Sequence, residues 1–173
     1  MLKEKTVKGF NLIETLVYVA ILFIVLGGLF SFVSWSMRTS AKAKTMREVL
    51  NSTKQAMEVI LYETREAEAV YEPTTTSSQL SLRTAKYLPI GESDSYIDFF
   101  LCEGRLCIRK EGRTPVVLTP ENINIANLNF TKIKTGDNYS IQVDIQAEYR
   151  NPGGRLEYQS AVNLSSSASL RAY

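Results

Sequence analysis

Residues 15–37 form a run of 23 positions without a charged side chain. As a helix rising about 1.5 Å per residue, this run is roughly 35 Å long, enough to cross a bilayer core of about 30 Å. The rest of the chain is different in kind. Over all 173 residues, 45% are hydrophobic and 22% charged, which excludes a polytopic membrane protein and a disordered chain. The length suits one domain of ordinary size beside the apolar run. The chain contains no His, which removes Ser-His-Asp triads, Cys-His dyads and most zinc sites at once. A net charge of +2 does not by itself argue for a nucleic-acid ligand.

The flanks of the run separate three readings. Residues 1–9, MLKEKTVKG, carry Lys3, Lys5 and Lys8 against Glu4, and the only charge from residue 10 to residue 37 is Glu14. A cleaved secretory signal has an apolar core of about 7–15 residues followed by a small-x-small site. This run is longer, and Phe32-Val33-Ser34-Trp35 is no such site. A plain single-span anchor leaves Glu14 unexplained, since an acid inside an apolar helix costs several kcal/mol unless it is shallow or paired.

The third reading accounts for the leader and the acid together. Lys8-Gly9-Phe10-Asn11-Leu12-Ile13-Glu14-Thr15-Leu16 resembles the type IV prepilin (class III) signal: basic leader, Gly, aromatic residue, three residues, Glu, apolar helix. The resemblance implies that prepilin peptidase, a membrane aspartic peptidase, cuts between Gly9 and Phe10 and methylates the new N-terminus of Phe10. Glu14 then becomes the fifth mature residue. The chemistry agrees with this. Gly9 has no Cβ, so extended backbone can enter a tight cleft there. The freed amine of Phe10 can approach Glu14 of a neighbouring subunit, so that two groups costly to bury alone become a compensated pair. The blander reading of Glu14 is an interfacial acid near the headgroups. Many major pilins carry a Pro in mid-helix; here position 31 is Ser. Gly27, Gly28 and Ser31 are open to two readings, a local melting or bend, or a small-residue packing patch.

Counting Lys and Arg does not place the N-terminus inside, because Arg38, Lys42, Lys44 and Arg47 outnumber the leader's three Lys. The cytoplasmic-side peptidase does place it there. The basic run 38–47 is then outside the membrane, either as a solvated helix face touching lipid phosphate or as a subunit or DNA contact. Removing residues 1–9 takes away three Lys and one Glu and leaves 17 side chains of each sign, a balance that does not favour DNA.

Beyond the membrane the apolar spacing stays helical. Met46, Leu50, Thr53, Met57, Ile60, Thr64, Ala67 and Tyr71 alternate steps of four and three, widened by Val49, Ala56 and Leu61. Glu72-Pro73 and the Thr/Ser-rich stretch after it are expected to end this helix. From residue 79 the period becomes two. Leu80 and Leu82 mark a first strand, and 96–102 and 106–110 flank Glu103-Gly104-Arg105 as a hairpin. Residues 115–118 form a short piece, and 123–130 a strand that changes phase near Ala126. Residues 141–149 alternate strictly, and Asn151-Pro152-Gly153-Gly154 turns the chain into a last strand from Leu156. Such alternation implies antiparallel sheet with one wet face. The expected fold class is α+β, a long N-terminal helix on a mostly antiparallel sheet, as in pilins. Its organisation is a leader at 1–9, a transmembrane and assembly helix at 10–37, an amphipathic helix at 38–72 and the sheet at 73–173.

Phe99-Phe100-Leu101, Gly104, Leu106, Arg109, Leu118, Asn122-Ile123, Leu128, Phe130 and the closing Ser169-Leu170-Arg171 resemble the body of J-class minor pseudopilins and W-class minor pilins. That resemblance implies a subunit at the filament tip or in priming, with other pilin subunits, the peptidase and the inner-membrane assembly platform as partners. A pilus-associated adhesin or DNA-uptake receptor is the alternative. Cys102 and Cys107 flank the hairpin turn, and three states are open: a disulfide formed outside the cytoplasm, free thiols, or a poor two-thiol metal site. Asp94, Asp98, Asp137 and Asn138 are possible calcium ligands, but without the alternate spacing of a calcium loop; Gly136-Asp137-Asn138 reads more simply as a turn. No phosphate loop, nucleophile elbow or paired-carboxylate motif stands out. The expectation is therefore a non-enzymatic subunit without cofactor or metal.

Overall fold

The computed structural model describes residues 11–86, 88, 90–135 and 138–171. One helix, α1 (Leu12–Glu66), is followed by eight strands: β1 (Ala69–Val70), β2 (Leu80–Thr84), β3 (Ser95–Cys102), β4 (Arg105–Lys110), β5 (Val116–Val117), β6 (Ile123–Thr135), β7 (Asn138–Tyr149) and β8 (Ala161–Ser169). The chain divides into two compact units, Met1–Ser40 and Ala41–Tyr173. In the first, the helix buries none of its described side chains.

In the second unit the helix buries one stripe. Thr45, Val49, Thr53, Ala56, Ile60 and Thr64 recur at steps of four and three with Met57 and Leu61 beside them, and the apolar members join one core with residues of both sheets. Two buried hydroxyls on the stripe are satisfied. Thr53 Oγ1 donates to the Val49 carbonyl at 2.7 Å, and Thr45 Oγ1 meets Ser160 Oγ at 3.0 Å. The helix stops at Glu66, short of the expected Glu72-Pro73. Glu68 N bonds to Arg83 O and Tyr71 N to Ser81 O, both at 2.9 Å, so Ala69 and Val70 pair with β2 instead of extending the helix. A breaking Pro sets only the latest possible end; sheet pairing claimed the chain earlier.

All strand pairs are antiparallel, in two sheets rather than one: β1-β2-β3-β4-β5 and β6-β7-β8. Strand β6 is tied to connections of the first sheet, where Ile125 N donates to Gly104 O of the β3–β4 turn at 2.7 Å and Phe130 N to Ser77 O between β1 and β2 at 2.8 Å. Ile60, Leu80, Leu82, Ile97, Phe99, Leu106 and Ile141 are among the fully buried side chains. Each contributes about 1.5–3 kcal/mol of burial free energy. The phase change near Ala126 is a β-bulge between Ile125 and Asn127, which lets Ile123 and Ile125 face the core together with Leu128 and Phe130. The last strand begins at Ala161, not Leu156. Residues 156–158 instead form a 3-10 turn, because Asn151 clasps Arg155: its Nδ2 donates to Arg155 O at 2.7 Å and its Oδ1 accepts from Arg155 N at 3.2 Å.

Candidate functional site

The candidate assembly element is the first unit's helix. From residue 11 to residue 40 no described side chain is buried, and the helix is long and apolar enough to cross a membrane. Its first turn is built around Glu14. Glu14 N bonds to Asn11 O at 2.9 Å, Thr15 Oγ1 donates to Leu12 O at 2.8 Å, and the Tyr18 hydroxyl donates to Glu14 Oε1 at 3.3 Å. An acid in a first turn also suits the positive end of the helix dipole. Gly9 and Phe10, the expected cleavage pair, lie outside the described residues. Helical structure runs unbroken through Gly27, Gly28 and Ser31, and nothing lies within 4 Å of a Cβ built on either Gly. The pair is thus an open notch on a helix that is not melted.

The β3–β4 hairpin carries the two cysteines. Cys102 and Cys107 are joined by a disulfide, with their Cα atoms 6.0 Å apart. Cys102 pairs with Arg105 across the ladder and Cys107 with Phe100, so the bond runs diagonally over the turn. The turn has two residues, not three: Glu103 (φ 52°) and Gly104 (φ 74°), both left-handed as a type I′ hairpin requires.

The acidic residues weighed as cation ligands are committed elsewhere. Asp98 accepts from Ser81 Oγ at 2.7 Å and from Arg109 Nε and Nη2 at 3.1 and 2.6 Å. Asp94 sits 3.7 Å from Arg83 Nε and accepts from Ser93 Oγ at 3.2 Å. Asn138 opens β7 opposite Thr135, and Asp137 lies outside the described residues.

Three features have long-range ties that no local signal in the sequence announces. Glu63, 5% exposed on the helix stripe, meets Lys110 Nζ at 3.2 Å. Lys86 Nζ lies 2.6 Å from Glu66 and 3.3 Å from the Tyr62 hydroxyl; the Glu66 carboxylate holds this ammonium protonated above its ordinary range. Both cations come from strands or loops remote in sequence, so no i,i+4 spacing announces them. The third is the β7–β8 connection, residues 150–160. Its Tyr158 ring stacks at 6.1 Å on Tyr149 at the end of β7, and its ends are tied to α1 at Thr45 and, through Asn122, at Glu48.

Compared with protein-family models, curated proteins and solved structures, the chain matches none.

Proposed function

We propose that the protein is a minor pilin or pseudopilin, a non-enzymatic structural subunit of a type IV pilus, a type II secretion pseudopilus or a competence filament. The observation that carries this is the order Lys8-Gly9-Phe10 and Glu14, followed at once by the charge-free run 15–37. The helix is held in the inner membrane with its N-terminus in the cytoplasm and its sheet-bearing unit outside. Prepilin peptidase cuts after Gly9 and methylates Phe10. The Phe10 amine then pairs with Glu14 of an adjacent subunit, which offsets the desolvation of both groups and sets axial register. An apolar helix with no described side chain buried needs a non-aqueous partner, first lipid and then neighbouring helices, and the open Gly27-Gly28 notch allows close helix approach. The disulfide supports placing the second unit in an oxidising compartment. The J/W-like body supports a place at the tip or in priming.

Glu14→Ala tests the pairing step. The variant is expected to be cleaved nearly as well as wild type and to be lost from sheared filaments or from the assembled minor-subunit complex. Filaments carrying it at wild-type level would refute the pairing.

A further inference from the structure

The β7–β8 connection caps the pole of the second unit where that unit's helix begins. Ser160 Oγ lies 3.0 Å from Thr45 Oγ1, both residues buried. At the other end of the connection Arg150 N donates to Asn122 O at 2.8 Å, and Asn122 Nδ2 donates to Glu48 Oε1 at 2.5 Å. The far end of β8 is fixed at the far end of the helix, where Arg171 N reaches Ala67 O at 3.3 Å. So β8 runs alongside the helix from Thr45 towards Ala67, and residues 150–160 lie at the Thr45 pole.

This connection is built, not slack. Asn151 closes it on Arg155, Gly154 turns at φ 61°, and Tyr158 stacks on Tyr149. On that frame Leu156 is 75% exposed, and Arg150 and Arg155 of the same segment are exposed as well. Lys42, Lys44 and Arg47 are exposed on the helix turns around Thr45. Among the described residues none of these five cations has an ion-pair partner. Against these five cations stand three acids, Glu157 on the connection and the neighbouring Glu48 and Glu148, which accept from the Asn122 and Asn124 amides. A lone exposed Leu is ordinary. An exposed Leu on a connection that also carries two unpaired Arg, at the pole where three more unpaired cations lie on the helix, is a different pattern: an apolar side chain with phosphate-seeking groups at the same pole.

We propose that this pole docks on anionic phospholipid. Leu156 enters the headgroup region, while Arg150, Arg155, Lys42, Lys44 and Arg47 contact lipid phosphates. The proposal rests on the reading of residues 15–37 as a membrane span, but not on cleavage or filament assembly. Chain connectivity supplies the occupant: Lys42 follows Met37 by five residues, roughly 8 Å of helix and at most about 18 Å of extended chain. That is on the order of one or two Debye lengths at physiological salt, so an anionic surface is within electrostatic reach. Docking stores the unit against the membrane, and entry into an assembly requires these contacts to break.

The test uses the full chain reconstituted in vesicles, with a Leu156→Trp probe on a Trp35→Phe background and acyl-brominated lipid as quencher. With phosphatidylglycerol present, the probe at position 156 is expected to be quenched; in pure phosphatidylcholine it is not. Arg150→Gln with Arg155→Gln should lower the docked-to-undocked ratio roughly 30-fold, at about a tenfold-per-1.4 kcal/mol conversion and about 1 kcal/mol per cation. Arg155→Lys should retain docking, and salt near 1 M should abolish it. No quenching with phosphatidylglycerol, or equal quenching in both lipids, overturns the proposal. Quenching of Trp35 in the otherwise native chain reports insertion of the apolar run. Its loss would sink the membrane-span reading itself, whereas a quenched Trp35 beside an unquenched probe sinks only the docking.

Discussion

Replacing Gly104 with Ala strikes the point where the disulfide hairpin meets the second sheet. Gly104 sits at φ 74°, and a Cβ there would collide with Asn124 Oδ1. An L-residue in left-handed backbone costs roughly 1–2 kcal/mol. The Asn124 side chain must also move, which forfeits its 2.8 Å bond to Glu148 Oε1; an exposed bond of that kind contributes about 0.5–1 kcal/mol. Together the loss is about 1.5–3 kcal/mol, a drop in Tm of roughly 5–12 °C for a unit of this size. Gly104→Asn should cost about half as much, because Asn tolerates this conformation. Thermal unfolding of the full chain in detergent, disulfide intact and followed by near-UV circular dichroism, measures both. A loss below about 0.5 kcal/mol for Ala, or Asn costing as much as Ala, would show that the backbone does not need Gly there.

Two further perturbations probe other parts of the second unit. Cys102→Ser with Cys107→Ser opens a loop of six residues, so chain entropy predicts a loss of about 2 kcal/mol in denaturant unfolding; a loss above about 4 kcal/mol would mean the bond does more than close a short loop. The Asp144 carboxyl is held below its ordinary value of 3.8, first by the Ser165 hydroxyl and then by the Gln142 amide. Its folded value is depressed, so its contribution is present above the ordinary carboxylate range and is lost as pH falls through the folded value. The stability gap between wild type and Asp144→Asn should therefore shrink on acidification below about pH 4, and a gap independent of pH would contradict the assignment.

What the sequence makes legible follows from range. The apolar run, the period-four-and-three stripe from Thr45 to Thr64, the bulge near Ala126 and the alternation of β7 are local patterns, and each appears in the fold. The Cys102–Cys107 bond is nearly local as well. The division into two sheets, the helix end at Glu66 and the tie of Ser160 to the helix depend on partners distant in sequence: Arg83 and Ser81 for β1, Ser77 and Gly104 for the sheet junction, Thr45 for Ser160; the 3-10 turn at Leu156 rests on the nearby Asn151–Arg155 clasp, which apolar alternation does not reveal. Local preference bounds such features without deciding them. In the candidate site, Glu14 stands out because an acid is conspicuous in an apolar run, whereas Arg150, Arg155 and Leu156 become a group only when Thr45 and Asn122 gather the ends of their connection.

We propose above all that this chain is processed ahead of Phe10 and uses the amine so exposed. Intact-mass and N-terminal peptide spectrometry of the protein extracted from its native membrane addresses it directly. The account predicts a chain beginning at Phe10, lacking residues 1–9 and carrying one methyl group on its N-terminal nitrogen. An intact Met1, or a first residue downstream of Glu14, would contradict it.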